Sequence, residues 1–182
     1  MRLVLSLEYL TFKFRIQPGK DWCKVDTELI QSPSFPSLQG ELPFPCKVDC
    51  HIMGDESIEM RELQNLANCF SELYAGVKNF EKPHFMESVI SIDLSAPFYH
   101  KLCFVQNGER KTEYIYNKPS MDLKINITAP YTGGSMKNYI TLCLDSVQTK
   151  YFYTYLKFVL GVVSKDDETV LEMLSNGILT DD

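Results

Sequence analysis

Met121-Asp-Leu-Lys-Ile-Asn-Ile-Thr128, then Tyr139-Ile-Thr-Leu-Cys-Leu-Asp145, then Lys150-Tyr-Phe-Tyr-Thr-Tyr-Leu-Lys-Phe-Val-Leu-Gly-Val-Val-Ser-Lys165: the hydrophobic period changes across these three stretches. In the first, Met121, Leu123, Ile125 and Ile127 alternate with Asp122, Lys124, Asn126 and Thr128. Ile140, Leu142 and Leu144 alternate in the second. Alternation is the signature of a strand with one buried face, because successive side chains point to opposite sides. In the third stretch Phe152, Tyr155, Leu156, Val159, Leu160 and Val163 recur at helical spacing and make one stripe. Strands that turn into a helix with an apolar stripe predict an α+β fold. The expectation is a single domain with an antiparallel β-sheet packed against two or three α-helices.

Working outward, Leu102 and Phe104, then Asn107-Gly108, then Tyr114 and Tyr116 read as a hairpin. Asn-Gly is the strongest short hairpin signal, since both residues tolerate positive φ. Further upstream, Leu63, Leu66, Ala67, Phe70, Leu73, Tyr74 and Val77 predict a helix. Asp55 or Ser57 is the expected cap, Glu56 and Glu59 suit its positive end, and Gly76 and Pro83 bracket its exit. Pro83 is read as opening a second helix through Phe85, Met86, Val89 and Ile90, although Ile90, Ile92 and Leu94 also alternate as a strand would. Val48, Cys50 and Ile52 predict a short strand that Gly54 stops. After the final helix, Val170, Leu171 and Leu174 form a last apolar segment ending at Asn176-Gly177.

At the other end, Leu3, Leu5, Leu7 and Tyr9 alternate, and the frame then shifts by one residue to Leu10, Phe12, Phe14 and Ile16. A slip of one flips the buried face, so a β-bulge is expected at Tyr9-Leu10. Pro18-Gly19 ends the strand, and residues 20–30 carry no decisive pattern. Residues 31–45 hold four of the nine prolines and read as an extended loop. Phe35, Pro36, Leu42 and Phe44 make that loop apolar enough to dock, on its own domain or on a neighbouring molecule. The expected organisation is an N-terminal strand plus proline-rich docking loop (1–45), a globular domain (46–174) and an acidic C-terminal tail (175–182).

The chain has 182 residues, about one domain. At 45% hydrophobic and 23% charged it can fill a core, and its spread of aromatic and aliphatic residues argues against disorder. The longest apolar run near a helix, Phe158 to Ser164, falls far short of the ~20 residues a membrane-spanning helix needs. Leu3 to Leu7 after Met1-Arg2 mimic a signal peptide. Glu8 cuts that run short and no small-residue cleavage site follows, so the segment is expected to belong to the fold. Six cysteines with no Cys-x-x-Cys spacing suggest reduced thiols in a cytosolic protein.

Motifs for chemistry are sparse. Cys46, Cys50 and His51, with Cys69 further on, give one loose pair where structural zinc takes two pairs. His100 precedes Cys103 by three residues, which on a strand puts the two side chains on opposite sides. Gly133-Gly134 lacks the Lys-Ser/Thr that completes a phosphate loop, and there is no Gly-x-Ser-x-Gly elbow. Tyr151, Tyr153 and Tyr155 are candidates for base stacking or for core. The expectation is a non-enzymatic chain with no cofactor, no metal and no catalytic residues. A small enzyme using Cys103 or Cys50 with a histidine stays open as the lesser alternative.

Charge is segregated. The net charge is −6, yet residues 98–165 hold nine Lys/Arg against four Asp/Glu, while residues 166–182 hold six acids and no base. Lys101, Arg110, Lys111, Lys118, Lys124 and Lys137 are the candidates for a basic face toward phosphate groups. The alternative is that they are solvent-facing positions of strands.

The element order also resembles a known family. A strand at Lys47–Met53 leads into a helix at Met60–Tyr74 that closes on Leu73-Tyr-Ala-Gly76. Pro83-His-Phe85 follows, then the strands Met121–Thr128 and Tyr139–Asp145 and the helix Lys150–Lys165. Over roughly residues 46–174 this resembles the globular domain of rhabdovirus matrix proteins. The resemblance implies a structural virion protein that self-associates, condenses the viral nucleoprotein–RNA complex and links it to the inner leaflet of the envelope for assembly and budding. Implied partners are a second copy of the chain, the nucleoprotein–RNA complex and the anionic inner membrane leaflet, with the envelope glycoprotein tail and host factors beyond them. The implied location is the virion, between envelope and nucleocapsid, and in the host the cytoplasm, the membrane periphery and the nucleus. Animal-virus members carry a Pro-Pro-x-Tyr budding motif that this sequence lacks, which fits a plant- or arthropod-infecting member better. The competing expectation is a monomeric, host-directed binding module such as a viral antagonist.

Overall fold

The computed structural model describes residues 1–7, 10–31, 50–53, 58–85, 90–95, 100–115, 119–126 and 139–181. The chain is α+β, with antiparallel sheets packed against helices. The first sheet begins with β1 (Arg2–Ser6), β2 (Leu10–Pro18) and β3 (Trp22–Gln31). Here the sequence reading needs correcting. Residues 2–18 are not one bulged strand but two strands of a hairpin, with Leu3 opposite Phe14 and Ser6 opposite Thr11. A one-residue slip in alternation marks where the register breaks, and a chain reversal breaks it as well as a bulge does.

The segment left unassigned at 20–30 is β3, the long centre of this sheet. It pairs with β2 from Leu10↔Gln31 to Pro18↔Cys23. Cys23, Val25, Thr27 and Leu29 all point inward and are buried. The alternation is intact, but Thr27 interrupts its apolar character. Gly19 closes the β2–β3 turn with its N–H on the Trp22 carbonyl, and a Cβ there would collide with that carbonyl.

On its far side β3 pairs with β4 (Cys50–Met53) and, at Trp22 and Cys23, with β5 (Ile58–Glu59). β5 runs directly into α1 (Met60–Tyr74). The cap is therefore Glu59, not Asp55 or Ser57, which lie outside the described residues. A capping box forms, in which the Glu62 carboxylate accepts from the Glu59 N–H at 2.9 Å. Leu63, Leu66, Phe70 and Leu73 are buried as the spacing requires, with Cys69 beside them.

The second sheet has the order β11-β10-β7-β6. Its strands are β6 (Phe80–Glu81), β7 (Ile90–Ser95), β10 (Ser120–Asn126) and β11 (Tyr139–Leu144). The helix expected from Pro83 is not what the described residues form. Residues 82–85 have no regular structure and Ile90 opens a strand, the alternative the alternation had offered. Between these strands in the chain, β8 (His100–Gln106) and β9 (Glu109–Ile115) make a two-stranded ribbon of their own. Its turn has Asn107 at φ 54° and Gly108 at φ 81°, the pair of positive values that the Asn-Gly motif predicts.

Two further helices follow among the described residues. In α2 (Ser146–Val159) Asp145 accepts from the Val147 and Gln148 N–H groups, so the helix starts four residues before Lys150. It stops at Leu160, where Gly161 takes φ 70°, short of the expected Lys165. α3 (Glu168–Ser175) is capped by Asp167 and buries Val170 and Met173, whereas Leu171 is exposed. The C-terminal segment is not a free acidic tail. Leu179–Thr180 form β12, which pairs with Leu3 and Arg2 of β1.

A single hydrophobic core joins both sheets. α2 carries the joint: Phe152 lies 5.3 Å from Phe14 of the first sheet and 6.1 Å from Phe70 of α1, centroid to centroid. Tyr155, fully buried, ties helix to sheet by hydrogen bonds as well. Its hydroxyl accepts from the Ile16 N–H at 2.8 Å and donates to the Met1 carbonyl at 3.3 Å. The N-terminal strands therefore pack on their own chain. The rest of the proline-rich segment, with Phe35, Pro36, Leu42 and Phe44, lies outside the described residues.

Candidate functional site

The candidate basic residues divide into three groups. Lys124, on β10, reaches across to Asp93 of β7 at 3.1 Å, and Lys82 holds the other Asp93 oxygen at 3.1 Å. The register sets Asp122 directly opposite Asp93, so these lysines offset a like-charge pair. Burial works to raise the Asp93 pKa, and the hydrogen bonds from Lys82 and Lys124 outweigh it, so the carboxyl titrates below its ordinary value. Lys124 thus serves the sheet. Lys118 and Lys137 lie outside the described residues.

The third group is on the ribbon. The backbone sets Lys101 opposite Tyr114 and Arg110 opposite Val105. Arg110 and Lys111 are both exposed, and as strand neighbours they project to opposite sides. Lys111 donates to the Gln106 side-chain oxygen at 3.0 Å, a neutral partner that leaves its charge uncompensated. Arg110 has no ion-pair partner among the described residues. The ribbon therefore offers cations on both sides of its tip, not the single basic face expected, with Val105 opposite Arg110 67% exposed and exposed Glu109 adjoining Arg110 in the chain.

Arg2 and Lys13 of the first sheet behave otherwise. Arg2 lies 3.3 Å from Asp26 and 3.6 Å from Glu28, and Lys13 lies 3.1 Å from Glu28. These pairs run across β1, β2 and β3, while Lys20 and Lys24 toward the β2–β3 turn are exposed without an ion pair among the described residues.

A second surface, which the sequence reading missed, lies at the foot of α1. Val77 and Phe80 are 69% and 58% exposed, and Tyr74 is partly exposed beside them in the chain. The Tyr153 ring stacks on Phe70 at 5.1 Å and on Tyr74 at 5.3 Å, and Lys157 sits 4.8 Å from its centroid. Burial, and then Tyr153, push the Tyr74 hydroxyl up to about 12. Lys78 bridges Glu72 at 2.8 Å and Glu81 at 2.5 Å, which raises its pKa. The sequence signal was in view, since Val77 continues the helical stripe. Gly76, at φ 68°, ends the helix before Val77 can be carried inward.

Other candidates resolve by geometry. The rings of Tyr153 are stacked within the chain, Tyr155 is core, and Tyr151 donates to Glu172 at 2.8 Å, so the three tyrosines are not an open stacking platform. The Cys69 thiol donates to Glu81 at 3.8 Å. Burial, and then the Glu81 charge, raise its pKa, the reverse of what activates a nucleophile. His84 is exposed; the side chains of Cys50, His51, His100 and Cys103 are not among those described. Among the described residues no cluster of His, Cys, Asp or Glu could hold a metal ion, and no helix is long and apolar enough to cross a membrane.

Comparison with protein-family models, curated proteins and solved structures finds no match to this chain.

Proposed function

We propose that this chain is a structural assembly protein of the viral matrix kind, which self-associates and bridges a nucleoprotein–RNA complex to an anionic membrane surface. The observation that carries this reading is the β8–β9 ribbon. Among the described residues its tip sets two exposed cations without ion pairs, Arg110 and Lys111, side by side in the chain; Lys20, Lys24 and Lys165 are exposed singly, and Arg2, Lys13, Lys82 and Lys124 are engaged with carboxylates. Charges left uncompensated on an exposed turn are available to phosphate, each worth about 1 kcal/mol near an anionic surface and less as salt rises.

The test is pelleting with vesicles containing phosphatidylserine and with single-stranded RNA, for the unmodified chain and for R110E/K111E. The expected result is binding that weakens as salt rises and is lost in the variant. Binding by R110E/K111E equal to that of the unmodified chain would sink the role given to the ribbon. The exposed patch of Tyr74, Val77 and Phe80 favours a second reading, a host-directed binding module. A chain that stays monomeric and retains one stoichiometric partner through that patch would support it.

A further inference from the structure

We infer that two copies of this chain pair through β11, antiparallel and edge to edge, so that the second sheet continues across a two-fold axis. This rests on the assembly reading and names the surface it would use.

Among the described residues β11 is paired on one side only, by β10 along its full length from Met121↔Leu144 to Asn126↔Tyr139. A strand with one partner leaves a row of N–H and C=O groups to be satisfied by something else. Proteins usually blunt such edges with charge, proline, bulges or extreme shortness. Most other described edges show these devices, and β4 (Cys50–Met53), also uncharged and free of proline, is only four residues long. β6 and β12 have two residues each, and β8 and β9 carry His100, Lys101, Glu109, Arg110, Lys111 and Glu113. β11 has none of them: Tyr139-Ile-Thr-Leu-Cys-Leu144 is six residues long, uncharged and free of proline.

The occupant follows from symmetry and charge. A two-fold axis between antiparallel strands passes where a residue pairs with its own copy, and it keeps each strand's inward face on the same side. Centred on Leu142, it sets Leu142 beside Leu142 and Ile140 beside Leu144, all three inward residues together. Exposed Thr141 then lies opposite exposed Cys143. The chain carries a net charge of −6, so most surfaces of two copies repel, but an uncharged strand brings no charge of its own to the seam. An edge that is neutral, regular and self-complementary suits a second copy of itself.

Thr141 and Cys143 are exposed, so both can be changed without touching the core. The experiment is sedimentation equilibrium of the full chain and of T141K at low and high salt, with circular dichroism to confirm that the variant folds. The expected result is a dimer insensitive to salt, whose association constant drops about tenfold or more in T141K. A second measurement does not depend on weakening anything. In T141C the new thiol should face the partner's Cys143 within disulfide reach, so mild oxidation should cross-link dimers in T141C but not in T141C/C143S, where the two introduced thiols lie diagonally about 7–8 Å apart. Unchanged dimerisation in T141K, or equal cross-linking in both cysteine variants, overturns the edge pairing while leaving self-association through other surfaces intact. A monomer at every concentration overturns both.

Discussion

The seam where the first sheet meets α1 and α2, and the β8–β9 ribbon, are built on opposite terms. In the seam, Phe14, Phe152, Phe70 and Tyr155 come from three separate elements and lose nearly all their exposure to one another. Their energy is burial, which ionic strength does not screen. In the ribbon, residues 105–111 are all exposed and the strands pair only with each other as a sheet. A two-stranded ribbon is marginal by itself in water, and its energy is a turn and a ladder. The seam tolerates little change and has nothing to offer a partner. The ribbon contributes little to folding and is free to carry charge. The core and the proposed binding surface are thus separated in space.

Substitutions should respect that separation. The largest effect is expected from F152A, which empties the joint between the first sheet and α1 and should cost about 3–5 kcal/mol in denaturant unfolding. Y155F removes one oxygen and should cost about 1–3 kcal/mol, because it leaves the buried Ile16 N–H without its partner and breaks the part-buried bond to the Met1 carbonyl. D167A deletes the α3 cap, for about 1 kcal/mol. R110E/K111E should leave unfolding within about 0.5 kcal/mol of the parent while removing vesicle and RNA binding. A large destabilisation by that pair would contradict the division between seam and ribbon.

A pH series sharpens the same comparison. The folded state holds the Asp93 carboxyl below its ordinary pKa, through Lys82 and Lys124 acting against burial. Its contribution is therefore fully present above the unfolded value, about 3.9, and is lost as pH falls through the folded value. Acid unfolding of D93N should show a shallower dependence in that window. The ribbon variant should keep the parent's profile there.

Much of the fold could be read from periodicity, and the exceptions have physical causes. α1, α2, β10, β11 and the Asn107-Gly108 hairpin follow from spacing and turn chemistry alone. β3 did not declare itself, because its inward positions include Cys23 and Thr27 and its outward ones Lys24, Asp26 and Glu28. Its identity comes from the two strands that flank it. β12 is two residues long and exists only because β1 lies beside it. Glu59 caps α1 because β5 pairs with Trp22–Cys23 and delivers the chain to that point, which no local signal encodes.

The candidate site was legible in part. Arg110 and Lys111 follow from a basic stretch around a hairpin, but their opposite projection needs the strand assignment, and the commitment of Lys124 to Asp93 needs the pairing of β7 with β10. The apolar foot of α1 was hidden because Val77 has the right spacing for a core position one residue after Gly76 ends the helix.

Self-assembly is the central claim, and sedimentation velocity of the full chain across concentration and salt tests it most directly. The expected result is reversible growth beyond the 20.9 kDa monomer as concentration rises, beginning with a dimer that persists at high salt. A single 20.9 kDa boundary at every concentration and ionic strength would contradict it.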